Sequence, residues 1–282
     1  MELALLSASD VSFAYRGGRG RRQPAHPAVR NATMQVPAGA IVGILGPNGS
    51  GKTTLLKLLA GVLRPDSGTI HLDDHDLRSM PRSALATRLA MVPQETHPAF
   101  DYTVLEMVLM GRYAHLGAFE LEGPNDLRVA RECMEATGTS LLEDRYFHTL
   151  SGGEKQRVAI ASALAQATDL MLLDEPSSSL DLRYQLEVAD LLQRLNRQRG
   201  ATVVLSTHDL NFAASICDSL LLIREGSVLA SGPPRDVLTS DHIRALYGVE
   251  ADVQEHPRAG HLTVVPIRPA GDSDESPPRW VH

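Results

Sequence analysis

The order of elements along this chain predicts an α/β fold, on three observations. The first is Gly46-Pro47-Asn48-Gly49-Ser50-Gly51-Lys52-Thr53, a glycine, four residues, then Gly-Lys-Thr, which has phosphate-loop spacing. The second is its context. An apolar run, Ala40 to Leu45, precedes the loop, and Leu55, Leu56, Leu58, Leu59, Val62 and Leu63 follow it at helical spacing. The third is a return to alternating apolar strands and amphipathic helices after residue 167, behind a stretch that reads as helix alone.

From the start, Leu5 to Tyr15 reads as a strand. Arg16 to Arg22 is basic and glycine-rich without interleaved aromatics, so a solvated hairpin loop is expected there rather than a nucleic-acid patch. Val29 to Val36 is a second strand, stopped by Pro37-Ala38-Gly39. After the phosphate-loop helix, Thr53 to Leu63, come a turn at Pro65 to Gly68 and a short strand, Thr69 to Leu72. Between about residues 95 and 167 helices are expected over Val104–Gly111, Pro124–Thr137 and Gly153–Gln166. Leu170 to Leu173 is an apolar strand and Leu182 to Arg199 an amphipathic helix. Val203–Thr207 and Leu220–Arg224 are strands, the latter turning at Glu225-Gly226 into Ser227–Ala230. From Arg268 the chain is rich in Pro, Ser and Asp, which predicts disorder over 268–282.

Composition narrows the function classes. With 282 residues, 43% hydrophobic and 22% charged, the chain can bury a large core. No apolar run approaches the ~18 residues that span a bilayer, and residues 1–10 lack a basic region before their apolar residues, so neither a membrane span nor a secretory signal is expected. Cys133 and Cys217 cannot build a disulfide framework and have no metal spacing; buried thiols in a reducing compartment are expected. The net charge of −7 speaks against nucleic acid as a partner.

The phosphate loop carries the chemistry. Its glycines let successive N–H groups converge on phosphate oxygens, and the helix N-terminus adds a favourable dipole. Lys52 suits the β- and γ-phosphates, and the Thr53 hydroxyl suits Mg²⁺. Leu170 to Leu173 ends in Asp174-Glu175. Asp174 would hold Mg²⁺ through water, and Glu175 would orient an attacking water. Leu150-Ser151-Gly152-Gly153-Glu154-Lys155-Gln156 is a second glycine turn at a helix start, an anion-binding device without its own lysine.

With these motifs in this order, the chain from about Leu5 to Ile267 resembles the ATP-binding cassette family, the ATPase subunits of ABC transporters. The resemblance implies a RecA-like P-loop NTPase core with an N-terminal antiparallel β subdomain and an inserted helical subdomain, one ATPase domain over 1–267. It makes Gly46 to Thr53, with Thr54 beside it, the Walker A loop. Tyr15 is then the aromatic residue that stacks on adenine, and Gln94 a Q-loop glutamine touching Mg²⁺ or water. Ser151, Gly152, Gly153 and Glu154 form the signature motif, Asp174 and Glu175 are Walker B plus catalytic base, and Asp181 closes the D-loop that runs from Ser178. Ser179 stands in that loop where Ala is frequent. His208 is the switch histidine at the γ-phosphate. Catalysis is thereby assigned to Glu175, His208, Lys52 and Gln94, and Mg²⁺ to Thr53, Gln94 and Asp174.

One phosphate loop and one signature motif per chain imply a head-to-tail dimer of two copies sandwiching two ATP molecules. The stretch Phe100 to His115, with Thr103-Val-Leu-Glu and then Gly111-Arg112-Tyr113-Ala-His115, resembles importer ATPases for iron–siderophore complexes, haem and cobalamin. That implies integral-membrane permease partners, an indirect link to a substrate-binding protein, and a peripheral position on the cytoplasmic face of the inner membrane. Val104, Leu105, Val108 and Leu109 with Arg112 and His115 are expected to form the groove that receives a permease helix. A soluble cassette acting as a mechanical switch on a cytosolic assembly, and the ATPase of an exporter, are the alternative readings.

Overall fold

A computed structural model describes residues 4–16, 27–117, 120–166, 168–178 and 180–270. The basic loop beyond Arg16, Ser179, and the tail from 271 lie outside the described residues. The first strands are β1 (Ala4–Ala14), β2 (Pro27–Pro37) and β3 (Ile41–Leu45), followed by α1 (Lys52–Leu59), β4 (Ser67–Leu72) and β5 (His75–Asp76). Then come α2 (Arg82–Ala86), β6 (Leu89–Val92), α3 (Val104–Leu109), α4 (Pro124–Ala136) and α5 (Gly152–Ala165). The chain continues through β7 (Leu170–Asp174), α6 (Leu182–Arg199), β8 (Thr202–Thr207), α7 (Leu210–Ile216), β9 (Ser219–Arg224) and β10 (Ser227–Gly232). It closes with α8 (Pro234–Val237), α9 (Ser240–Tyr247), β11 (Val249–Glu255) and β12 (Leu262–Pro269).

A ten-stranded sheet runs β5-β4-β1-β2-β10-β9-β3-β8-β7-β6. Its β9-β3-β8-β7-β6 half is parallel, and β5-β4-β1-β2 is antiparallel. A single residue pair, Ser227↔Arg30, joins β10 to β2 between the halves. β3, β7 and β8 are buried along their whole length. That is why they read as unbroken apolar runs rather than as alternation.

Side chains alternate across these strands and feed two cores. Ile41, Leu45, Met171, Leu173, Val203 and Leu205 face α6 and α7. Val42, Ile44, Leu170, Leu172 and Val204 face α1 together with β1, β2 and β4. A third core belongs to the helices between β6 and β7: Val104, Val108, Met134, Phe147, Val158 and Ala161 close on one another. α5 serves two of these cores, because its Ile160 and Ala163 pack on the sheet. Among the described residues no helix is long and apolar enough to cross a membrane.

Several expectations need correction. β6 is four residues long, too short to stand out between Arg88 and Pro93. The expected tail boundary at Arg268 falls inside β12, where Arg268 lies opposite Glu250 of β11 and bonds its carboxylate at 2.7 Å. Sequence alone placed no elements between residues 209 and 219 or after 232, where α7, α8, α9 and the β11–β12 hairpin lie.

The expected partner groove is also revised. Val104 and Val108 point into the helical core at 0% exposure. Arg112 is buried as well: its Nε donates to Asp126 Oδ1 at 3.0 Å and its guanidinium to the Ala165 carbonyl at 2.8 Å. The Gly123 N–H, then the Arg112 guanidinium, hold the Asp126 carboxyl below its usual range. Arg112 is therefore a brace between α4 and the end of α5, because a buried guanidinium requires partners. His115 joins it, its Nε2 lying 2.8 Å from the Gln166 carbonyl. Replacing Arg112 by Glu would set two carboxylates together, so we expect the thermal midpoint to fall by roughly 5 °C or more, read by circular dichroism. The isolated chain should lose activity with it.

Candidate active site

β3 lies inside the parallel half of the sheet, and the chain leaves its carboxyl end as the glycine loop. Gly46 has no room for a side chain, since an added Cβ would lie 2.2 Å from the Ile223 carbonyl oxygen. Gly51 has φ +105° and would set a Cβ 2.2 Å from the Ala28 carbonyl. α1 starts immediately after it, and no side chain caps its first turn. Those N–H groups are left for a ligand or water, at the positive end of the helix.

Lys52 is buried beneath this loop. Its Nζ donates to the carbonyls of Gly46 at 2.9 Å and Pro47 at 3.2 Å, and pairs with Glu175 Oε1 at 3.2 Å. The other Glu175 oxygen, Oε2, lies 2.9 Å from His208 Nδ1. A carboxylate only accepts, so Nδ1 carries the proton in this bond. One carboxylate thus bridges an ammonium from α1 and an imidazole from the end of β8.

Glu175 reaches this position through an uncommon backbone conformation, φ +49°. A left-handed non-glycine residue costs on the order of 1 kcal/mol. One bifurcated hydrogen bond, worth about 1 kcal/mol, offsets it. The Glu175 N–H donates to the Ser206 carbonyl at 3.1 Å and to its hydroxyl at 3.0 Å. That hydroxyl in turn donates to Asp174 Oδ1 at 2.6 Å, which also accepts from the Thr53 hydroxyl at 3.0 Å. The parallel register Asp174↔Ser206 makes this possible. Ser206 belongs to this network, and sequence reasoning did not assign it. Its signal was present: a fully buried hydroxyl directly after Val203, Val204 and Leu205 must find partners.

A cavity of about 670 Å³ opens over this network. Lys52, Thr53, Thr54, Asn48, Gly49 and Gly51 line its floor, and Gln94, Glu175 and His208 its walls. Tyr15 stands at the rim, half exposed, its ring edge-to-face on Phe13 at 5.0 Å and its hydroxyl 3.3 Å from Thr54 Oγ1. Gln94 Nε2 donates to the Ser178 hydroxyl at 3.3 Å. Ser50 is buried below the loop with an unpartnered hydroxyl.

The remaining predicted residues lie elsewhere. Ser151 and Glu154 cap α5 reciprocally: Ser151 Oγ accepts from the Glu154 N–H, and Glu154 Oε2 accepts from the Ser151 N–H and hydroxyl. The Ser151 N–H keeps the Glu154 carboxyl below its usual range. Gly152 lines a separate cavity of about 180 Å³, shared with Gln94 and Ser178. Gly153 is packed under the Tyr184 ring. Asp181 caps α6 by accepting from the Tyr184 N–H at 3.3 Å. None of these five lines the cavity over the phosphate loop.

The cavity has the size of a small-molecule site, and a buried cation under an uncapped helix start suits polyphosphate. The hydroxyl of Thr53 beside Asp174 is a hard-oxygen pair, suited to Mg²⁺ completed by phosphate and water. Among the described residues no group of three or more His, Cys, Asp or Glu side chains could hold a metal by itself.

A parallel sheet with a glycine loop after one strand and two carboxylates after another defines a phosphate-loop nucleotide-binding protein. The ABC transporter family model matches residues 29–178, and the chain belongs to that family. It is 42% identical over 269 residues to a hemin import ATP-binding protein of Bordetella pertussis (strain Tohama I), covering 92% of this chain and 98% of that one. An inward-facing structure described as of the metal-chelate type of ABC transporter superposes with a TM-score of 0.80 at 32% identity, over 95% of this chain and 98% of the other. A dimeric ATP-binding cassette holding ADP and Pi superposes with a TM-score of 0.70 at 28% identity, over 82% and 99%.

If Ser206 positions the two carboxylates, Ser206→Ala should lower the ATPase rate about tenfold, the loss of one to two hydrogen bonds. Nucleotide affinity should change less than threefold. Steady-state hydrolysis and equilibrium nucleotide titration separate the two quantities.

Proposed function

We propose that this chain is the ATP-hydrolysing subunit of a membrane importer, powering uptake of a metal chelate (haem, an iron–siderophore or cobalamin) through a separate permease. The observation that carries the ATPase reading is Glu175 held between Lys52 and His208 above the phosphate loop. The import reading is supported by the hemin import relative and the metal-chelate type structure. Both favour import over export and over a free cytosolic switch.

The mechanism follows from charge. The γ-phosphate brings more negative charge than one carboxylate, so Lys52 moves from Glu175 to the phosphate oxygens. That frees Glu175 Oε1 to accept a hydrogen bond from a water and orient it for attack. His208 and the N–H groups of the loop stabilise charge that spreads over the γ-oxygens in the transition state. Thr53, Asp174 and Gln94 are the residues that would hold Mg²⁺, which supplies neutralisation of the β- and γ-oxygens. The exposed face of Tyr15 is suited to stacking on adenine.

The second glycine turn, at Ser151, lies outside the chain's own cavity yet begins a helix of fourteen residues. We therefore assign it to the site of a second copy, packed head to tail, in line with the dimeric cassette that holds ADP and Pi. The surface for the permease is assigned to exposed aromatics of the helical segment. Phe100 packs edge-to-face on Tyr102, Tyr146 stacks on His148, and the bridge Thr103↔Tyr146 ties the two together. A permease partner puts the chain at the cytoplasmic face of the membrane, and any contact with a substrate-binding protein is indirect.

Glu175→Gln should bind ATP normally, hydrolyse it at least a hundredfold more slowly, and accumulate as a dimer in gel filtration with ATP. Hydrolysis near the wild-type rate would remove Glu175 from the role of base. Composite sites can be checked by mixing. A Lys52→Ala chain combined with a Ser151→Arg chain should regain part of the activity that each lacks alone, because one of the two mixed sites is then intact. Cargo is tested by co-expressing the chain with a haem permease and measuring ATP-dependent hemin uptake. Absence of uptake for hemin, a ferric siderophore and cobalamin alike would overturn the import reading.

A further inference from the structure

His208 is held from behind as well as from the cavity. Its carbonyl oxygen accepts a hydrogen bond from the Tyr247 hydroxyl at 3.2 Å. Tyr247 is the last residue of α9, 39 positions further along the chain. The helix ends there because Gly248 turns left-handed at φ +69°. This sets the phenol at the helix's final turn, facing the end of β8.

The segment after His208 is gripped from the same side. Asn211 makes two main-chain bonds to Val264 of β12: its Nδ2 donates to the carbonyl at 3.2 Å, and its Oδ1 accepts from the N–H at 2.8 Å. Leu210 and Tyr247 pack on Ile243, Ala251 and Val264 in a small core of their own. Residues 208–211 carry the chain from β8 into α7, and both ends of that short passage are tied to the C-terminal elements. Burial, then the carboxylates of Asp209 and Glu175, push the Tyr247 phenol well above its usual range. It therefore stays protonated and remains a donor.

Resting on the assignment of His208 to the γ-phosphate, we infer that Tyr247 is a positioning residue for ATP hydrolysis. Its hydroxyl fixes the His208 main chain, and so the placement of the imidazole against Glu175. The α9–β12 unit is on this account part of the hydrolytic apparatus, although none of its residues lines the cavity. An imidazole 2.9 Å from a carboxylate is sensitive to small shifts of its backbone, since a hydrogen bond weakens steeply away from its optimum.

The test uses the purified full chain with MgATP. Tyr247→Phe removes the hydroxyl and keeps the ring. It should lower kcat about fivefold, on the order of the net worth of one hydrogen bond, with KM for ATP within about twofold and a thermal midpoint lowered by no more than about 4 °C. In protein with ¹⁵N-labelled histidine, the His208 ring resonances, identified by their loss in His208→Ala, should shift in Tyr247→Phe. An unchanged kcat would overturn the inference. So would a lowered kcat with unmoved His208 resonances, which would mean that Tyr247 acts by another route. His208→Ala hydrolysing at the wild-type rate would instead sink the assignment of His208 itself, so the two failures are distinguishable.

Discussion

The structure turns on one shared carboxylate. Glu175 pairs with a buried ammonium at 3.2 Å and an imidazole at 2.9 Å. Neither partner is near it in sequence. Removing one member of a buried pair usually leaves an uncompensated charge, which costs about 3 kcal/mol or more. Three elements must therefore stay in fixed relation: α1 for Lys52, the end of β7 for Glu175, and the end of β8 for His208. The parallel ladder supplies that relation. β8 lies between β3 and β7, with Leu45↔Thr207 on one side and Asp174↔Ser206 on the other. A slip of one residue in the β7–β8 register would turn Asp174 and Ser206 to opposite faces and dissolve the site.

The same constraint explains why the strands are so apolar. β3, β7 and β8 are covered on both faces, so nearly every side chain in them is a packing residue. Thr202 is an exception at the amino end of β8, where its hydroxyl accepts from the Gly39 N–H; the others lie at the carboxyl ends. Asp174, Ser206 and Thr207 are all there, and all are buried with named partners or neighbours in the network. Ligands of open parallel sheets bind outside these strand ends.

α5 joins the sheet core to the helical segment. It starts at the Ser151 cap, adds Val158 and Ala161 to the helical core, and adds Ile160 and Ala163 to the sheet core. Its end is pinned by Arg112 to Asp126 of α4. A helix that belongs to two cores cannot shift on one without straining the other, because packed interiors do not deform continuously. A displacement of α5 on the sheet is thereby tied mechanically to the core of the helical segment.

Local sequence determined what depends on short-range chemistry. The phosphate loop, its strand and its helix were legible because glycine spacing and apolar periodicity are written within about twenty residues. The Asp174-Glu175 pair was legible because it ends an apolar run. The caps formed by Ser151 and Asp181 depend only on residues three positions away. Tertiary structure decided the rest. Arg112 reads as a surface charge at a helix end, and only the approach of α4 and α5 buries it. Ser206 is one of three hydroxyl residues in β8 until the register brings Asp174 beside it. Tyr247 stands in a stretch where sequence placed no element, and only the structure shows α9 folding back beneath His208. Each of these three depends on a partner at least 14 positions away, and no local pattern encodes which distant backbone will arrive there.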